Sequence, residues 1–191
     1  MFELAGLSTF LDIFQKAFGL IEKRKDQKRR LFEEIIEPIY TQLSPVVDGY
    51  YEFFRGCRDE FSQNPAKKWP VVLLMKKKKR EEIVLARDRV IGMIWPFLKE
   101  QKHGEQDKLL YSFAKGIEEF FYASDDVPKT IKKGSRARTL LFEELDRIVW
   151  KQDEKYRQFV ISEIELVLQT LEQKWRDVSA AYGELRVYCL S

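Results

Sequence analysis

The stretch Ile164–Leu185 reads IELVLQTLEQKWRDVSAAYGEL, and its apolar residues recur at alternating steps of four and three. That spacing places them on one side of a helix over three heptads, which favours packing against other helices. We call this stripe the heptad seam, and it comprises Ile164, Leu168, Leu171, Trp175, Val178, Tyr182 and Leu185. The repeat is marginal for a committed coiled coil and sufficient for a helical bundle.

The composition of the whole chain agrees with a helical fold. Of 191 residues, 45% are hydrophobic and 34% charged, which allows a buried core beneath a hydrated surface. Gly (9) and Pro (6) are too scarce for a turn-rich β-sandwich or barrel. We predict an all-α helical bundle of five to seven helices, in a single helical domain over residues 1–191. Its long C-terminal part is either one helix or a helix pair over residues 136–182, an interval without Gly or Pro.

Local signals predict where helices begin and end. Pro38 is expected to kink or end a helix, and Ser44–Pro45 to restart one with Ser as the N-cap. Asn64–Pro65 and Trp69–Pro70 predict a break, because the residue before a proline is disfavoured in the helical region. The apolar run Val71–Met75 fits a short strand or a helix, and helix is favoured because no second strand candidate exists to pair with it. Residues 123–135 are predicted to be the main internal loop.

The N-terminal residues 2–22 are predicted to form an amphipathic helix followed by a basic segment from Lys23. Such a helix can lie on an anionic membrane, or it can pack into the bundle. The candidate membrane or partner contacts are Leu7, Phe10, Leu11, Phe14 and Phe18. The segment lacks the basic start and cleavage site of a signal peptide, and no window has the roughly 18 apolar residues needed to cross a bilayer. We therefore expect a cytoplasmic protein, with peripheral membrane attachment as the alternative.

Positive charge is concentrated in three stretches, although the net charge is only +3. They are Lys23–Arg30, Lys76–Arg80 with Lys67–Lys68 before it, and Lys129–Arg138. If these stretches share one face, they would bind a polyanion with an affinity that falls steeply with salt. The alternative is a set of solvated turns and helix ends. The candidate polyanion-binding residues are Lys76, Lys77, Lys78, Lys79, Arg80, Lys132 and Lys133.

The sequence contains no motif typical of a catalytic site. His103 is the single histidine, and its Glu100–His103 pair would have to occur twice in a helical di-iron site. Neither a glycine-rich phosphate loop nor a zinc pattern occurs. Cys57 and Cys189 have no metal-ligand spacing and are expected to be free thiols. We predict no enzyme activity, no cofactor, no metal site and no small-molecule substrate.

The preferred function is a non-catalytic helical interaction module, a subunit or regulator that binds another protein or itself. Part of the heptad seam supplies the candidate partner contacts, provided that the bundle does not fill it internally: Ile164, Leu171, Trp175 and Val178. One alternative is a peripheral membrane effector acting through residues 2–22. Another, less favoured, is a nucleic-acid or polyanion binder that uses Lys76–Arg80.

Overall fold

The computed structural model describes residues 28–99, 104–121 and 154–191 together with positions 142, 145, 146 and 149. Within these ranges every regular element is a helix, which confirms the predicted all-α class. The α-helices are α1 Lys28–Leu31, α2 Glu37–Gln63, α3 Trp69–Met75, α4 Lys77–Lys99, α5 Glu105–Phe121 and α6 Arg157–Leu190. A π-helix Phe32–Ile36 joins α1 to α2, and 3₁₀ turns Ala66–Lys68 and Glu154–Tyr156 precede α3 and α6.

The path of α2 contradicts the prediction at Ser44–Pro45 and one of the two alternatives at Pro38. It runs through Pro45 without a restart at Ser44, so the predicted N-cap there is wrong. Leu43 and Val46 are buried on either side while Pro45 is exposed, and their packing holds the helical path despite the hydrogen bond that proline removes. The helix does not end at Pro38 either. The backbone changes from π- to α-helix just before it, where the Glu37 N–H donates to the carbonyl of Phe32.

Two other local predictions are confirmed. The helix α2 ends at Gln63, and Pro65 has the extended backbone (φ −60°, ψ 146°) expected of a break. The run Val71–Met75 is helical as part of α3. The break predicted at Trp69–Pro70 is wrong, because Trp69 has a helical backbone (φ −57°, ψ −40°) and Pro70 lies in the first turn of α3, where a missing N–H costs little.

The chain divides into two compact units. The first contains the described residues 28–46, 85–99, 104–118 and 176–191. The second contains residues 47–84, 119–121 and 154–175, with positions 142, 145, 146 and 149.

The first unit is organised around Tyr182 on α6. Its ring stacks on Tyr40 of α2 with centroids 3.9 Å apart, and it lies 5.5 Å from the ring of Phe32 and 6.3 Å from that of Phe113. The Tyr40 hydroxyl forms a 3.1 Å hydrogen bond with the Ser179 hydroxyl. Burial raises the pKa of Tyr182, and the nearby Glu37 carboxylate adds to the shift. These contacts fix α2 and α5 against α6 within this unit.

The second unit has an aromatic core. Phe142 is central, with its ring centroid 4.9 Å from those of Tyr50 and Phe53 and 5.7 Å from that of Phe54. All six members are buried, namely Tyr50, Phe53, Phe54, Phe120, Phe121 and Phe142. Aromatic pairs at these separations add to the stabilisation from buried area. The cluster fixes one side of α2, and the residues described next lie on a neighbouring side of the same helix.

Candidate functional site

An open groove of about 600 Å³ lies between α2 and α6 in the second unit. We call it the α2–α6 groove. Its lining residues are Tyr51, Arg55 and Arg58 from α2, and Glu165, Leu168, Gln169 and Glu172 from α6.

Helical periodicity explains why these side chains meet at the groove. Tyr51, Arg55 and Arg58 follow steps of four and three, so they share one side of α2. Glu165 and Glu172 are likewise seven residues apart on α6. Seven residues at about 1.5 Å each make every wall about 10 Å long, which is two helical turns. The groove therefore offers two parallel rows of side chains rather than a single convergent point.

The two walls carry opposite charge. The Arg55 guanidinium lies 5.3 Å from the centroid of the Tyr51 ring, within the range of a cation–π contact. Arg58 donates to the Asp59 carboxylate at 2.8 and 3.0 Å. The α6 wall carries the exposed carboxylates Glu165 and Glu172. Such a groove can bind a segment that carries charges of both signs.

The basic stretch Lys76–Arg80 meets carboxylates at its C-terminal end. The same Arg80 guanidinium nitrogen donates to both oxygens of Asp146, at 2.6 and 2.7 Å. It also lies 5.2 Å from the centroid of the Phe142 ring. The two side chains are 29% and 37% exposed, and the paired guanidinium serves as a structural contact rather than a free polyanion ligand.

The remaining cations of this stretch are more exposed. Lys79 lies 3.2 Å from the Glu52 carboxylate, and Lys77 lies 3.7 Å from that of Glu81, one helical turn away. The Lys76 ammonium lies over Gly56, where a β-carbon would come within 2.9 Å of it. Lys78 is exposed. The other predicted polyanion ligands, Lys132 and Lys133, lie outside the described residues.

An exposed apolar surface lies directly before this basic stretch. Three residues of α3 are unusually exposed, Val71 at 55%, Leu74 at 68% and Met75 at 81%. We call them the α3 outer face. Trp69 and Val72, on the other side of the same helix, are buried. The helix is therefore anchored on one side and open on the other.

The anchor of α3 is well defined. The Trp69 indole N–H donates to the carbonyl of Asn64 at 3.2 Å, and the indole packs 5.2 Å from the Phe61 ring. The Arg157 guanidinium lies 5.8 Å from the indole centroid and donates to the carbonyls of Phe61 and Ser62 at 2.5 and 2.9 Å. A cation at these carbonyls also stabilises the C-terminal end of α2.

Three of the four predicted partner contacts of the heptad seam are buried in the fold. Ile164 and Leu171 are 1% exposed and Val178 is fully buried, while Trp175 is half-buried. Gly116 of α5 approaches Val178 so closely that a β-carbon would lie 3.3 Å from its side chain. The condition attached to the seam, that the bundle leaves it unfilled, is not met for Ile164, Leu171 and Val178.

Other sequence candidates fall outside the described residues. These are the loop 123–135, the Glu100–His103 pair and the N-terminal contacts Leu7, Phe10, Leu11, Phe14 and Phe18. Among residues 28–99, 104–121 and the described positions beyond, no group of three or more His, Cys, Asp or Glu side chains could hold a metal ion. Of the described helices, none has the length and apolar character to cross a membrane.

Both cysteines are buried free thiols, as predicted. Burial raises the pKa of Cys57 from the ordinary 9.0 to about 12, and the nearby Lys76 opposes only part of this shift. Burial also raises the pKa of Cys189, against a smaller opposing effect of Lys28. A protonated, shielded thiol is a poor nucleophile, so neither cysteine has the environment of a reactive site.

Sequence reasoning missed the groove and the exposure of α3. A periodicity signal exists for both: steps of four and three link Tyr51, Arg55 and Arg58, and steps of three and one link Val71, Leu74 and Met75. The signal identifies a shared face without revealing what covers it.

No protein-family model, curated protein or solved structure matches this chain.

Proposed function

We propose that this protein is a non-catalytic helical interaction module that binds a helix of another protein in the α2–α6 groove. The observation that carries this proposal is the pair of oppositely charged, two-turn walls around an open groove of about 600 Å³. Small-molecule sites are mostly apolar and enclose their ligand. This groove is open, and Leu168 is the one aliphatic side chain among its lining residues. A macromolecular segment fits it better.

The dimensions of the groove suit a helix. Two neighbouring helices leave a channel along their length, and a third helix can place one apolar stripe at its base. Leu168 supplies the apolar contact at the base, and Gln169 beside it offers an amide for hydrogen bonding. Tyr51 and Arg55 are of the residue types that most often carry binding energy at protein interfaces.

The charges predict the partner's pattern. A matching helix would place basic side chains opposite Glu165 and Glu172 and acidic ones opposite Arg55, because Arg58 already pairs with Asp59. Charges at the edge of an interface act mainly on specificity and association rate. The partner is thus an amphipathic helix with one basic and one acidic flank.

The groove belongs, in this proposal, to a bundle of five to seven helices whose spine is a long C-terminal helix or helix pair. The 34 residues of α6 support this arrangement. The protein acts in the cytoplasm as a subunit or regulator, without a cofactor. A second copy of the chain is the alternative partner.

Co-purification from the native source tests the proposal with the full chain. The groove variants are Glu165→Lys and Arg55→Glu, and Glu184→Lys is a matched control because it makes the same change at another exposed position of α6. We expect one stoichiometric protein with wild type and Glu184→Lys, and an affinity lowered about tenfold or more in both groove variants. Circular dichroism confirms that all variants remain helical.

Two results would contradict the proposal. One is a partner that binds all four proteins equally, because the contact would then lie outside the groove. The other is a lone monomer by sedimentation velocity with no co-purifying protein. A concentration-dependent dimer that Glu165→Lys dissociates would instead assign the groove to a second copy of this chain.

A further inference from the structure

Exposed apolar side chains are concentrated on α3. Eight large hydrophobic residues are exposed in the described part of the chain, and three of them fall within the seven residues of this helix. Leu74 and Met75 are the most exposed of the three. Leaving such side chains in water forfeits the stabilisation that burial provides, and clustered exposure of this kind marks a contact surface.

Lysines precede and follow the α3 outer face. Lys67 and Lys68 are exposed four and three residues before Val71, and Lys78 is exposed four residues after Leu74. Lys67 and Lys68 belong to the 3₁₀ turn that leads into α3, and Lys78 belongs to the first turn of α4, so all three lie within four residues of the α3 outer face along the chain. Within the described residues, Lys67, Lys68 and Lys78 form no ion pair. Their charges are therefore open to an external anion.

We infer that the α3 outer face docks onto an anionic phospholipid bilayer. Val71, Leu74 and Met75 enter the headgroup region, and Lys67, Lys68 and Lys78 contact the anionic headgroups around them. An apolar patch with a cationic border is the combination that peripheral membrane proteins use. This surface shares no residue with the α2–α6 groove and is distinct from the N-terminal helix that the sequence predicts.

The composition of the patch favours lipid over protein. Protein interfaces are enriched in aromatic residues, Met and Arg and depleted in Lys. This surface has one methionine, but its other members are aliphatic side chains and lysines, with no aromatic residue and no arginine. Nucleic acid fits less well, because aliphatic side chains at its centre neither stack on bases nor contact phosphates. An anionic bilayer accounts for both parts of the patch, because its headgroups attract the lysines and its apolar interior accommodates the aliphatic side chains.

The rigid anchor of α3 supports the same inference. Trp69 and Val72 fix the inner side of the helix, and the Trp69 indole N–H holds the turn before it through Asn64. The outer side chains are thus presented without folding on binding, so the lipid contact does not have to order the helix first. A short helix whose inner side is packed against the protein can insert its outer side chains a short distance into the lipid headgroup region.

Vesicle flotation at physiological salt tests the inference with the full chain. The vesicles contain phosphatidylcholine alone or phosphatidylcholine and phosphatidylserine in equal parts. We expect wild type to bind only the phosphatidylserine vesicles. Leu74→Gln/Met75→Gln should lower this binding at least about tenfold, because it removes the inserted apolar area. Lys67→Gln/Lys68→Gln/Lys78→Gln should lower it about 100-fold, at roughly fivefold for each lysine.

A matched control is Val187→Gln/Leu190→Gln, which removes two exposed apolar residues three positions apart on α6. Its vesicle binding should equal that of wild type. Glutamine favours helix at exposed positions, so all variants should remain folded, and circular dichroism checks this.

Three outcomes would overturn the inference. The first is no binding of wild type to phosphatidylserine vesicles. The second is equal binding of wild type and Leu74→Gln/Met75→Gln, which would place the lipid contact elsewhere, including residues 2–22. The third is a pair of results: the protein binds soluble heparin through the three lysines, and Leu74→Gln/Met75→Gln leaves vesicle binding unchanged. Together they would identify a polyanion site.

Discussion

The heptad seam on α6 and the α3 outer face have similar apolar chemistry and opposite surroundings. Ile164 and Leu171 of the seam are 1% exposed, whereas Leu74 and Met75 on α3 are 68% and 81% exposed. Both sets follow helical spacing. The difference shows that periodicity identifies an apolar face, while only tertiary packing decides whether the face becomes core or contact surface.

The same substitution on the two faces should sharpen this comparison most. Leu171→Ala removes packed side-chain atoms and leaves a cavity, so we expect the free energy of unfolding to fall by about 2–5 kcal/mol. Leu74→Ala should change it by less than about 0.5 kcal/mol, because its side chain is already in water. Urea unfolding followed by circular dichroism measures both values. Equal losses of unfolding free energy in the two variants would mean that Leu74 is packed as tightly as Leu171, which would contradict the exposure of the α3 outer face.

The burial of Cys57 should make the free energy of unfolding depend on pH, with an effect of intermediate size. Its pKa is raised from 9.0 to about 12 in the folded protein, so the folded state keeps its proton where the unfolded thiol ionises. Below about pH 9 both states are protonated and the thiol adds no pH dependence. Above that, the free energy of unfolding should fall by about 1.4 kcal/mol per pH unit, until the folded thiol ionises near pH 12.

The Cys57→Ala variant provides the reference for this measurement. It lacks the thiol, so the gap in unfolding free energy between wild type and variant should narrow by about 2 kcal/mol between pH 9 and pH 10.5. Urea unfolding across this range measures the gap. A constant gap would contradict the deep burial of Cys57.

Two ion pairs allow the same comparison between a less exposed and a more exposed position, with a smaller expected effect on the free energy of unfolding. The side chains of Arg80 and Asp146 are 29% and 37% exposed, whereas those of Lys77 and Glu81 are 67% and 61% exposed. A double-mutant cycle with alanine at both positions should give a coupling energy of about 1 kcal/mol for the first pair and about 0.3 kcal/mol for the second. Raising the salt concentration should weaken the second pair more. Equal couplings would contradict the shielding of Arg80.

Local structure was predictable where local chemistry decides it. The break at Asn64–Pro65 follows from the restriction that proline places on the residue before it, and the helical state of Val71–Met75 follows from the lack of a pairing strand. Pro45 was mispredicted for the opposite reason. Burial of Leu43 and Val46 outweighs the local cost of a proline within a helix, and burial depends on the whole fold.

The candidate sites were less predictable because they depend on distant parts of the chain. The α2–α6 groove requires Arg55 and Glu165 to lie on neighbouring helices although 110 residues separate them (165 − 55). Likewise, the cation of Arg80 is bound by Asp146, which no spacing rule connects to it. The sequence identifies candidate charges, and the fold decides which of them remain available.

Methionine oxidation tests the central contrast between a covered core and an open α3 most directly. Met75 is 81% exposed on α3, while Met93 on α4 is fully buried, so one side-chain type reports on both environments without mutation. Under dilute hydrogen peroxide, peptide mass spectrometry should show Met75 oxidised at least about tenfold faster than Met93. Equal rates in the native protein would contradict the account.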